Sequence, residues 1–517
     1  MDGDDTVTAE VCREDDVGDG QLLEVMVAGY PVLLVRNRKE FRALGSKCPH
    51  YGAPLSKGVL RGERLRCPWH GACFNIRTGD IEEYPALDCI SCFKVTVEDG
   101  KVFITAKKKV LALPAVTEHR QHLRLCVTSA FSSLVGVAAL VCAETLRQEG
   151  FTGRIIMATK EKHVPYDKSK LSKEMNLKAE DVYLRKPEFL QAQGIEFWTE
   201  KEVPVGMTQL WVCAPFLLFL FNLYHEMHLD SLSFSSGFLK VPGADLQNVC
   251  TLQTPEESSK ILELATGKNL VIVGASFIGM EVAAFLSDKA GNISVVEREE
   301  FPFQHTLGPQ IGGVAMKMLQ NKGVKFCMKT ELCELKGRDG KVSHAFVIPE
   351  LCHSGGSGEC QLSIPGHTAS LLSHHCTNCP VSHQHMQTNI PNVFAAGDVV
   401  TFPVALLDGD RSSIHHQQVA EAHGHCAALN MLKRGKELRT VPYFWTTLLG
   451  KSIRYAGCGK GYTDTVVKGS LEQQKFLIFY IRDGHVTAAA SLNCDPMVSL
   501  IAEVLYLGKQ ISKEEAE

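Results

Sequence analysis

Two short runs near the start of the chain each bring a cysteine and a histidine together. Cys48 and His50 stand in the run CPHYG, and Cys67 and His70 stand in the run CPWHG. Two thiolates on one iron and two imidazoles on a second iron are the ligands of a Rieske [2Fe–2S] cluster. The spacing therefore predicts two loops that hold such a cluster, which passes single electrons.

Zinc is the alternative metal, because cysteine and histidine are also its usual ligands. Zinc fingers, however, usually pair cysteine with cysteine and histidine with histidine along the chain. Here each run supplies one of each, and Gly52 and Gly71 follow the histidines. Glycine lets backbone N–H groups approach the cluster sulfurs. Short apolar runs separated by Gly, Asn and Asp turns surround both runs and predict a small β-domain.

A second chemical signal lies in residues 269–297, which predict a strand, a turn, a helix and a second strand. Gly274 permits the tight turn, Ser276 is a small residue in place of the middle glycine, and Gly279 allows close helix packing. The helix N-terminus favours a pyrophosphate. Glu297 ends the second strand, where a carboxylate binds ribose hydroxyls and repels a 2′-phosphate. The pattern predicts NADH over NADPH, with a Rossmann unit that lacks a ligand as the alternative.

The two sites handle different numbers of electrons. NADH delivers a hydride, which carries two electrons, whereas a Rieske cluster accepts one; a flavin does both. The candidate flavin segment is residues 132–146, SSLVGVAALVCAETL, whose second half predicts the helix after a dinucleotide-binding turn. Gly136 is the glycine of that turn, and Ala139 is acceptable as the small residue where the helix packs closely. The electron count therefore predicts a flavin.

Composition limits the class of protein. The 517 residues suffice for about three or four domains. The 54 Lys+Arg against 58 Asp+Glu give a net charge of -4, which argues against nucleic-acid binding. No targeting signal is visible at the acidic N-terminus, so the 19 cysteines suggest intracellular thiols and metal ligands. The apolar run at 210–221 is shorter than the roughly 20 residues of a membrane span, which predicts a buried segment and no transmembrane span.

The order of these features resembles the domain order of the apoptosis-inducing factor family, in particular that of its Rieske-bearing members. The resemblance also rests on VPYDKSKLSK, QTNIPNVFAAGDVV, IHHQQVAEAHG and VPYFWTTLLGKSIRYAG. It implies an N-terminal all-β Rieske [2Fe–2S] domain, α/β glutathione-reductase-like FAD- and NAD-binding domains, and a C-terminal α+β domain. The boundaries that we expect are an acidic tail at 1–15, the Rieske domain at 16–110, the FAD-binding domain at 120–250 and 349–435, the NAD-binding domain at 251–348, and the C-terminal domain at 436–517.

The resemblance also implies how a flavin would be bound. Asp398 would hydrogen-bond the ribityl chain of FAD, with Gly397 giving room, and Glu161 would bind the adenosine ribose. The helix that begins near His415 would direct its positive end at the flavin pyrimidine.

Three further residues would form the catalytic site by the same resemblance. Lys173 would lie near the flavin ring, paired with Glu281, and Trp445 would be an aromatic wall. Each has an ordinary alternative: Lys173 as a solvated helix lysine and Trp445 as plain core.

Three stretches depart from the family pattern. Leu134 places a bulky side chain where the family carries the first glycine of the flavin turn. Residues 205–240 lack the expected turn against FAD, and residues 349–384 lack strand periodicity. We therefore expect weak or lost FAD binding as an alternative to full function. Cys376 and Cys379, with histidines nearby, offer a metal site, but the cysteine pair and the histidine pairs lie too close to one another for the usual finger spacing.

We expect a flavoprotein oxidoreductase that passes electrons from NAD(P)H through FAD to a Rieske cluster and on to an unknown one-electron acceptor. A Rieske oxygenase would need two histidines and a suitably spaced carboxylate for mononuclear iron, and His415 and His416 lack one. The remaining alternative is an interaction or signalling protein with an intact Rieske domain and impaired flavin binding. The resemblance alone suggests a pro-apoptotic role and a mitochondrial location, with the cytosol as alternative, and it leaves a homodimer open.

Overall fold

The computed structural model describes residues 5–112, 136–201, 241–349, 384–388, 392–398, 400–407 and 409–517, together with the backbone of four strands at 129–133, 217–221, 362–365 and 367–368. The N-terminal part contains two antiparallel sheets. The larger consists, in spatial order, of Thr6–Arg13, Lys101–Lys107, Cys92–Glu98, Glu40–Gly45, Tyr30–Asn37 and Leu22–Val27. The smaller consists of Val59–Arg61, Arg64–Arg66, Cys73–Asn75 and Ile81–Glu83. The all-β prediction for this domain is confirmed.

The sheets position the two cysteine–histidine runs as loops. The first run follows strand Glu40–Gly45, and the second connects Arg64–Arg66 to Cys73–Asn75. Alternate residues of Lys101–Lys107 are buried, as expected for a strand with one face on the core. Both loops therefore leave a rigid β framework. A short helix, Lys108–Leu111, ends this domain.

The flavin-type domain is a five-stranded parallel sheet. Its strands, in spatial order, are Ile195–Trp198, Arg154–Ala158, Ser129–Ser133, Leu217–Phe221 and Val393–Ala396. Its helices are Val137–Gln148, Pro187–Ala192 and Gln417–Met431. Val137–Gln148 and Gln417–Met431 touch where Gly424 faces Ala138, since a Cβ on Gly424 would overlap the carbonyl oxygen of Ala138. Along the chain, strand Val393–Ala396 and helix Gln417–Met431 are separated by two short strands, Phe402–Pro403 and Arg411–Ser412, which pair with each other.

Two departures from the family pattern contain regular structure. Part of the apolar run at 210–221 forms the inner strand Leu217–Phe221 of the parallel sheet. Within 349–384, where we found no strand periodicity, Leu362–Pro365 and His367–Thr368 are strands. Strands as short as these hold too few residues to show alternation in the sequence. Leu134, Cys376 and Cys379 lie outside the described residues.

The nicotinamide-type domain is a four-stranded parallel sheet with helices Pro255–Ala265, Phe277–Leu286 and Gly308–Gln320. Its strands, in spatial order, are Lys325–Cys327, Asn292–Val296, Asn269–Val273 and His367–Thr368. The strand, turn, helix and strand predicted over 269–297 are present as Asn269–Val273, Phe277–Leu286 and Asn292–Val296. An antiparallel sheet of Thr330–Arg338, Lys341–Pro349 and Leu362–Pro365 follows.

The C-terminal domain is α+β. Its antiparallel sheet has the spatial order Tyr443–Leu448, Lys451–Gly457, His485–Leu492, Lys475–Arg482 and Asp464–Ser470. Helices Met497–Tyr506 and Lys513–Ala516 follow. Among the described residues, no helix is both long and apolar enough to cross a membrane.

A buried ion network joins the N-terminal β-domain to the C-terminal domain. The Arg66 side chain is 1% exposed; its Nε donates to Oε1 of Glu503 at 2.6 Å, and its guanidinium also pairs with Glu83. Arg64 donates to Glu503 at 3.1 Å and to Glu82 at 2.6 Å. Removing one partner of a buried ion pair is far more costly than exchanging both for apolar residues. The network therefore holds the two domains in one arrangement.

Candidate functional site

The four predicted cluster ligands converge as two pairs. Cys48 and Cys67 are 2% and 1% exposed, and their thiols hydrogen-bond each other. Nδ1 of His70 lies 3.1 Å from Nδ1 of His50. Burial lowers the pKa of His50 to about 4, and it lowers the pKa of His70 too. Both rings are therefore neutral at neutral pH, the form that binds metal.

The two ligand loops have matching backbone geometry. The amide of Cys48 donates to the carbonyl of Ala53 at 2.9 Å, and that of Cys67 donates to Ala72 at 2.7 Å. Backbone N–H groups at His50 and its neighbour face the Cys48 sulfur, and those of the second loop face the Cys67 sulfur in the same way. Donors of this kind stabilise cluster sulfurs. The thiols and imidazoles thus fit a two-iron cluster.

Zinc requires four ligands around one ion. Within the described ranges, no three His, Cys, Asp or Glu side chains are grouped so that they could hold one metal ion. The two thiols and the two imidazoles form separate pairs, and one pair of ligands per iron suits the Rieske arrangement.

The predicted nicotinamide turn is compact. Gly274 has a φ of +105°, and a Cβ on Gly279 would overlap the carbonyl oxygen of Gly274. Ser276 precedes helix Phe277–Leu286 as its N-cap. The Glu297 carboxylate accepts from the amide of Ala275 at 2.6 Å, so it lies against the turn. The structure brings these four predicted residues together, and their binding roles stay predictions.

Four of the five predicted flavin-binding residues lie near the N-termini of two helices. Gly136 is the N-cap of helix Val137–Gln148, and Ala139 is buried in its first turn. A Cβ on Gly397 would lie 3.7 Å from Cβ of Ala138, so Gly397 faces this helix. Burial raises the pKa of Asp398, and the charge of His415 offsets only part of this rise. Glu161 follows strand Arg154–Ala158. Its carboxylate accepts hydrogen bonds from the Tyr166 hydroxyl at 2.7 Å and from Nζ of Lys168 at 2.9 Å.

Buried polar atoms at the second helix fit a polar ligand. Nδ1 of His416 and Oε2 of Glu421 are buried without a hydrogen-bond partner in the part of the chain that the structure describes. His416 is the N-cap of helix Gln417–Met431, whose N-terminus favours electron-rich groups. Orphaned buried polar atoms usually have a ligand or water as partner. The residues present therefore fit FAD at this helix, and their individual roles stay predictions.

The predicted Lys173–Glu281 contact is present. Nζ of Lys173 lies 3.0 Å from the Glu281 carboxylate and donates to the carbonyl of Ser169 at 2.7 Å. Glu281 is 4% exposed and also accepts from Oγ1 of Thr446 at 2.6 Å and from the hydroxyl of Ser172. One buried carboxylate therefore links a flavin-domain segment, a nicotinamide-domain helix and a C-terminal strand.

Trp445 precedes Thr446 on that strand and contacts the cluster ligands. Its ring centroid lies 4.0 Å from that of His70 and 5.4 Å from that of His50. The family resemblance implied an aromatic wall of the active site, and sequence reasoning missed this contact with the two ligand loops. The indole stands beside the cluster ligands, one residue away from the threonine that binds Glu281.

Sequence reasoning also missed Tyr51. Its ring stacks on His50 with centroids 4.0 Å apart, and its hydroxyl donates to Asp167 of the flavin domain. The available signal was its position between His50 and Gly52 in the ligand loop. Tyr51 thus fastens the first loop to the flavin domain.

Comparisons with known proteins agree with this geometry. The Rieske [2Fe-2S] domain family matches residues 8–94, the pyridine nucleotide-disulphide oxidoreductase family matches residues 135–424, and the reductase C-terminal family matches residues 443–517. Apoptosis-inducing factor 3 of Homo sapiens is 45% identical, covering 99% of this chain and 86% of that protein. The benzene 1,2-dioxygenase system ferredoxin–NAD(+) reductase subunit of Pseudomonas putida is 26% identical over 69% of this chain and 87% of that protein.

Two solved structures share the reductase fold. A ferredoxin reductase for the CYP199A2 system from Rhodopseudomonas palustris has a TM-score of 0.66 at 21% identity, covering 75% of this chain and 96% of that one. The covalent putidaredoxin reductase–putidaredoxin complex has a TM-score of 0.64 at 20% identity, covering 75% and 95%. The predicted fold class and the predicted cofactors, a [2Fe–2S] cluster, FAD and NAD(H), are confirmed. The chain is an NAD(P)H-dependent FAD oxidoreductase with a Rieske domain, and it belongs to the pyridine nucleotide-disulphide oxidoreductase family together with apoptosis-inducing factor 3.

Proposed function

We propose that this chain is a self-contained electron-transfer unit, in which NADH is the reductant and the chain's own Rieske centre is the first one-electron acceptor. A bound FAD converts a two-electron hydride donor into a one-electron source. The observation that carries the proposal is the packing of Trp445 on His70, with ring centroids 4.0 Å apart. The indole offers a packed route between the reductase and the cluster ligands.

Glu281 holds this route in place. Its buried carboxylate accepts from Thr446 at 2.6 Å and pairs with Lys173 at 3.0 Å. Since Thr446 is the neighbour of Trp445, the same carboxylate that orients Lys173 also restrains the strand that carries the indole. We assign Lys173 and Glu281 to the flavin side of the route and Trp445 to the cluster side.

Glu297 supports the choice of NADH. Its carboxylate accepts from the Ala275 amide at 2.6 Å and from the Arg298 amide at 2.8 Å, which places negative charge at the turn. A dinucleotide that carries a 2′-phosphate would meet that charge, whereas ribose hydroxyls donate to it.

The test separates the two half-reactions. Wild type and Trp445→Ala are mixed anaerobically with NADH, flavin bleaching is followed by absorbance, and the cluster is followed by freeze-quench EPR. We expect flavin bleaching at the wild-type rate in the variant and cluster reduction slowed at least tenfold. Trp445→Phe, which keeps an aromatic ring, serves as the matched control and should fall between. Equal cluster reduction in all three proteins would overturn the route, and a cluster signal without any flavin absorbance would favour the interaction-protein alternative.

The finer expectations rest on resemblance. We propose a mitochondrial location and a pro-apoptotic role from the likeness to apoptosis-inducing factor 3, whose name carries that activity. A ferredoxin-type or other one-electron acceptor would receive the electrons next. Light scattering of the purified chain tests the homodimer that the sequence leaves open.

A further inference from the structure

The second ligand loop is fastened to the C-terminal domain through its own backbone. Oγ of Ser499 donates to the carbonyl oxygen of Cys67 at 2.9 Å. Nε of Arg454 donates to the carbonyl oxygen of Trp69 at 2.7 Å. Both donors come from a domain more than 350 residues away along the chain, and both act on the loop that supplies one thiolate and one imidazole to the cluster.

The loop is shaped to fit this domain. A Cβ on Gly71 would lie 2.5 Å from the ring of Tyr443, so the ring occupies the space that any side chain would need. The Tyr443 hydroxyl lies 3.1 Å from Oγ of Ser499, the donor to Cys67. Ring, hydroxyl and ligand loop therefore form one packed unit across the domain boundary.

Arg454 also brings charge. The Arg454 side chain is 10% exposed, and its guanidinium pairs at 2.8 Å with the carboxylate of Asp495. The Asp495 side chain is 34% exposed. Since Nε of Arg454 donates to the carbonyl oxygen of Trp69, the residue that precedes His70, the guanidinium places its positive charge beside the second ligand loop. Charges act strongly at such sites because the surroundings screen them less than water does.

We propose that Arg454 and Ser499 are positioning residues of the Rieske centre, through which the docked C-terminal domain raises the reduction potential of the cluster. Reduction adds one negative charge to the cluster, and a nearby cation together with donors to the ligand loop stabilises that charge. Asp495 opposes the effect, because its carboxylate partly neutralises Arg454. The inference rests on the proposed function, since it concerns the acceptor in that route.

The experiment is a mediated redox titration of the full chain, followed by EPR of the reduced cluster and carried out without NADH. Arg454→Met removes the charge and the hydrogen bond, and we expect reduction to become about tenfold less favourable, which is 59 mV lower for one electron. Arg454→Lys keeps the charge and should recover most of the shift. Arg482→Met is the matched control, because Arg482 is another arginine of the C-terminal domain that pairs with an aspartate, Asp410, at 2.9 Å, and it should titrate as wild type.

Two further variants guard against simple damage to the fold. Asp495→Asn leaves Arg454 in place without its counter-charge, so the potential should rise, opposite in sign to Arg454→Met. Ser499→Ala removes one donor and should lower it. Iron and acid-labile sulfide are counted in every protein. If Arg454→Met loses the cluster, the other two variants test the inference. A higher potential in Asp495→Asn together with a lower one in Ser499→Ala supports it, and any other combination overturns it.

The outcomes separate the two proposals. A wild-type cluster that NADH reduces, with all variants at the wild-type potential, overturns the inference and leaves the proposed function standing. Equal downward shifts of the reduction potential in Asp495→Asn and Arg454→Met would also overturn the inference. Loosened packing would shift both variants in the same direction, whereas an effect of charge shifts them in opposite directions. Shifts of opposite sign in a protein whose cluster NADH fails to reduce would support the inference and overturn the proposed function.

Discussion

Nε of Arg66 in the Rieske domain donates to Oε1 of Glu503 in the C-terminal domain at 2.6 Å, and both side chains are almost fully buried. Glu503→Gln leaves Arg66 and Arg64 with less compensating charge. We expect a loss of about 3–5 kcal/mol in the free energy of unfolding. Thermal or denaturant unfolding, followed by the visible absorbance of the cluster, measures it. Glu149→Gln breaks the exposed pair with Arg434 and is the control, with an effect below about 1 kcal/mol.

The same contact predicts acid sensitivity. Burial raises the pKa of Glu503, but Arg66 and Arg64 lower it more, so the net pKa lies below its ordinary value. A depressed pKa means that this stability is present above the unfolded pKa of about 4.3 and is lost as pH falls through the folded pKa. The stability difference between wild type and Glu503→Gln should be constant from about pH 6 to 8 and shrink below about pH 4. A difference that grows in acid would contradict this sign.

Gly71 and Gly52 form a matched pair. Both have positive φ, +78° and +74°, but a Cβ at Gly71 meets the Tyr443 ring at 2.5 Å, while one at Gly52 meets no described atom within 4 Å. Gly52→Ala should cost about 1–2 kcal/mol from backbone strain alone. Gly71→Ala should cost clearly more and reduce the cluster content of the purified protein, measured as iron per chain. Equal losses would show that the Tyr443 contact is unimportant.

Glu421 is buried with one carboxylate oxygen that lacks a partner among the described residues. Burial raises its pKa to about 8, against a lowering by the hydrogen bond from Gln417. A raised pKa means that stability is lost as pH rises from about 4.3 towards about 8. In protein stripped of FAD, Glu421→Gln should therefore be more stable than wild type at pH 8 by roughly 1–3 kcal/mol and equal to it near pH 4. Melting curves across this range decide it.

Glu297→Ala should change the choice of nicotinamide. The carboxylate accepts from the Ala275 amide at the predicted dinucleotide turn. In the role that we propose for Glu297, its removal would cost contacts to ribose hydroxyls and remove repulsion of a 2′-phosphate, so kcat/KM for NADH should fall about tenfold relative to that for NADPH. Steady-state assays with both dinucleotides measure the ratio. An unchanged ratio would place the ribose elsewhere.

Local sequence patterns determined much of the protein. The cluster ligands lie within two short loops, and the nicotinamide turn lies within 29 residues, 269–297. Each motif is a single supersecondary unit, so residue types and spacing suffice to predict its chemistry. The full fold class and the identity of the flavin as FAD were implied by the resemblance to a known family, and the family matches confirmed them. The domain boundaries and the individual roles of the site residues stay predictions.

Only the tertiary structure decided how these units meet. Trp445 contacts His70 from 375 residues away, and Arg66, Arg454 and Ser499 find partners at separations of 385 to 437 residues. Periodicity and spacing describe neighbours along the chain, whereas these contacts arise from the packing of separately folded surfaces. The physical reason is that a side chain's environment, including the burial that makes a charge or a hydrogen bond strong, exists only once the domains are assembled.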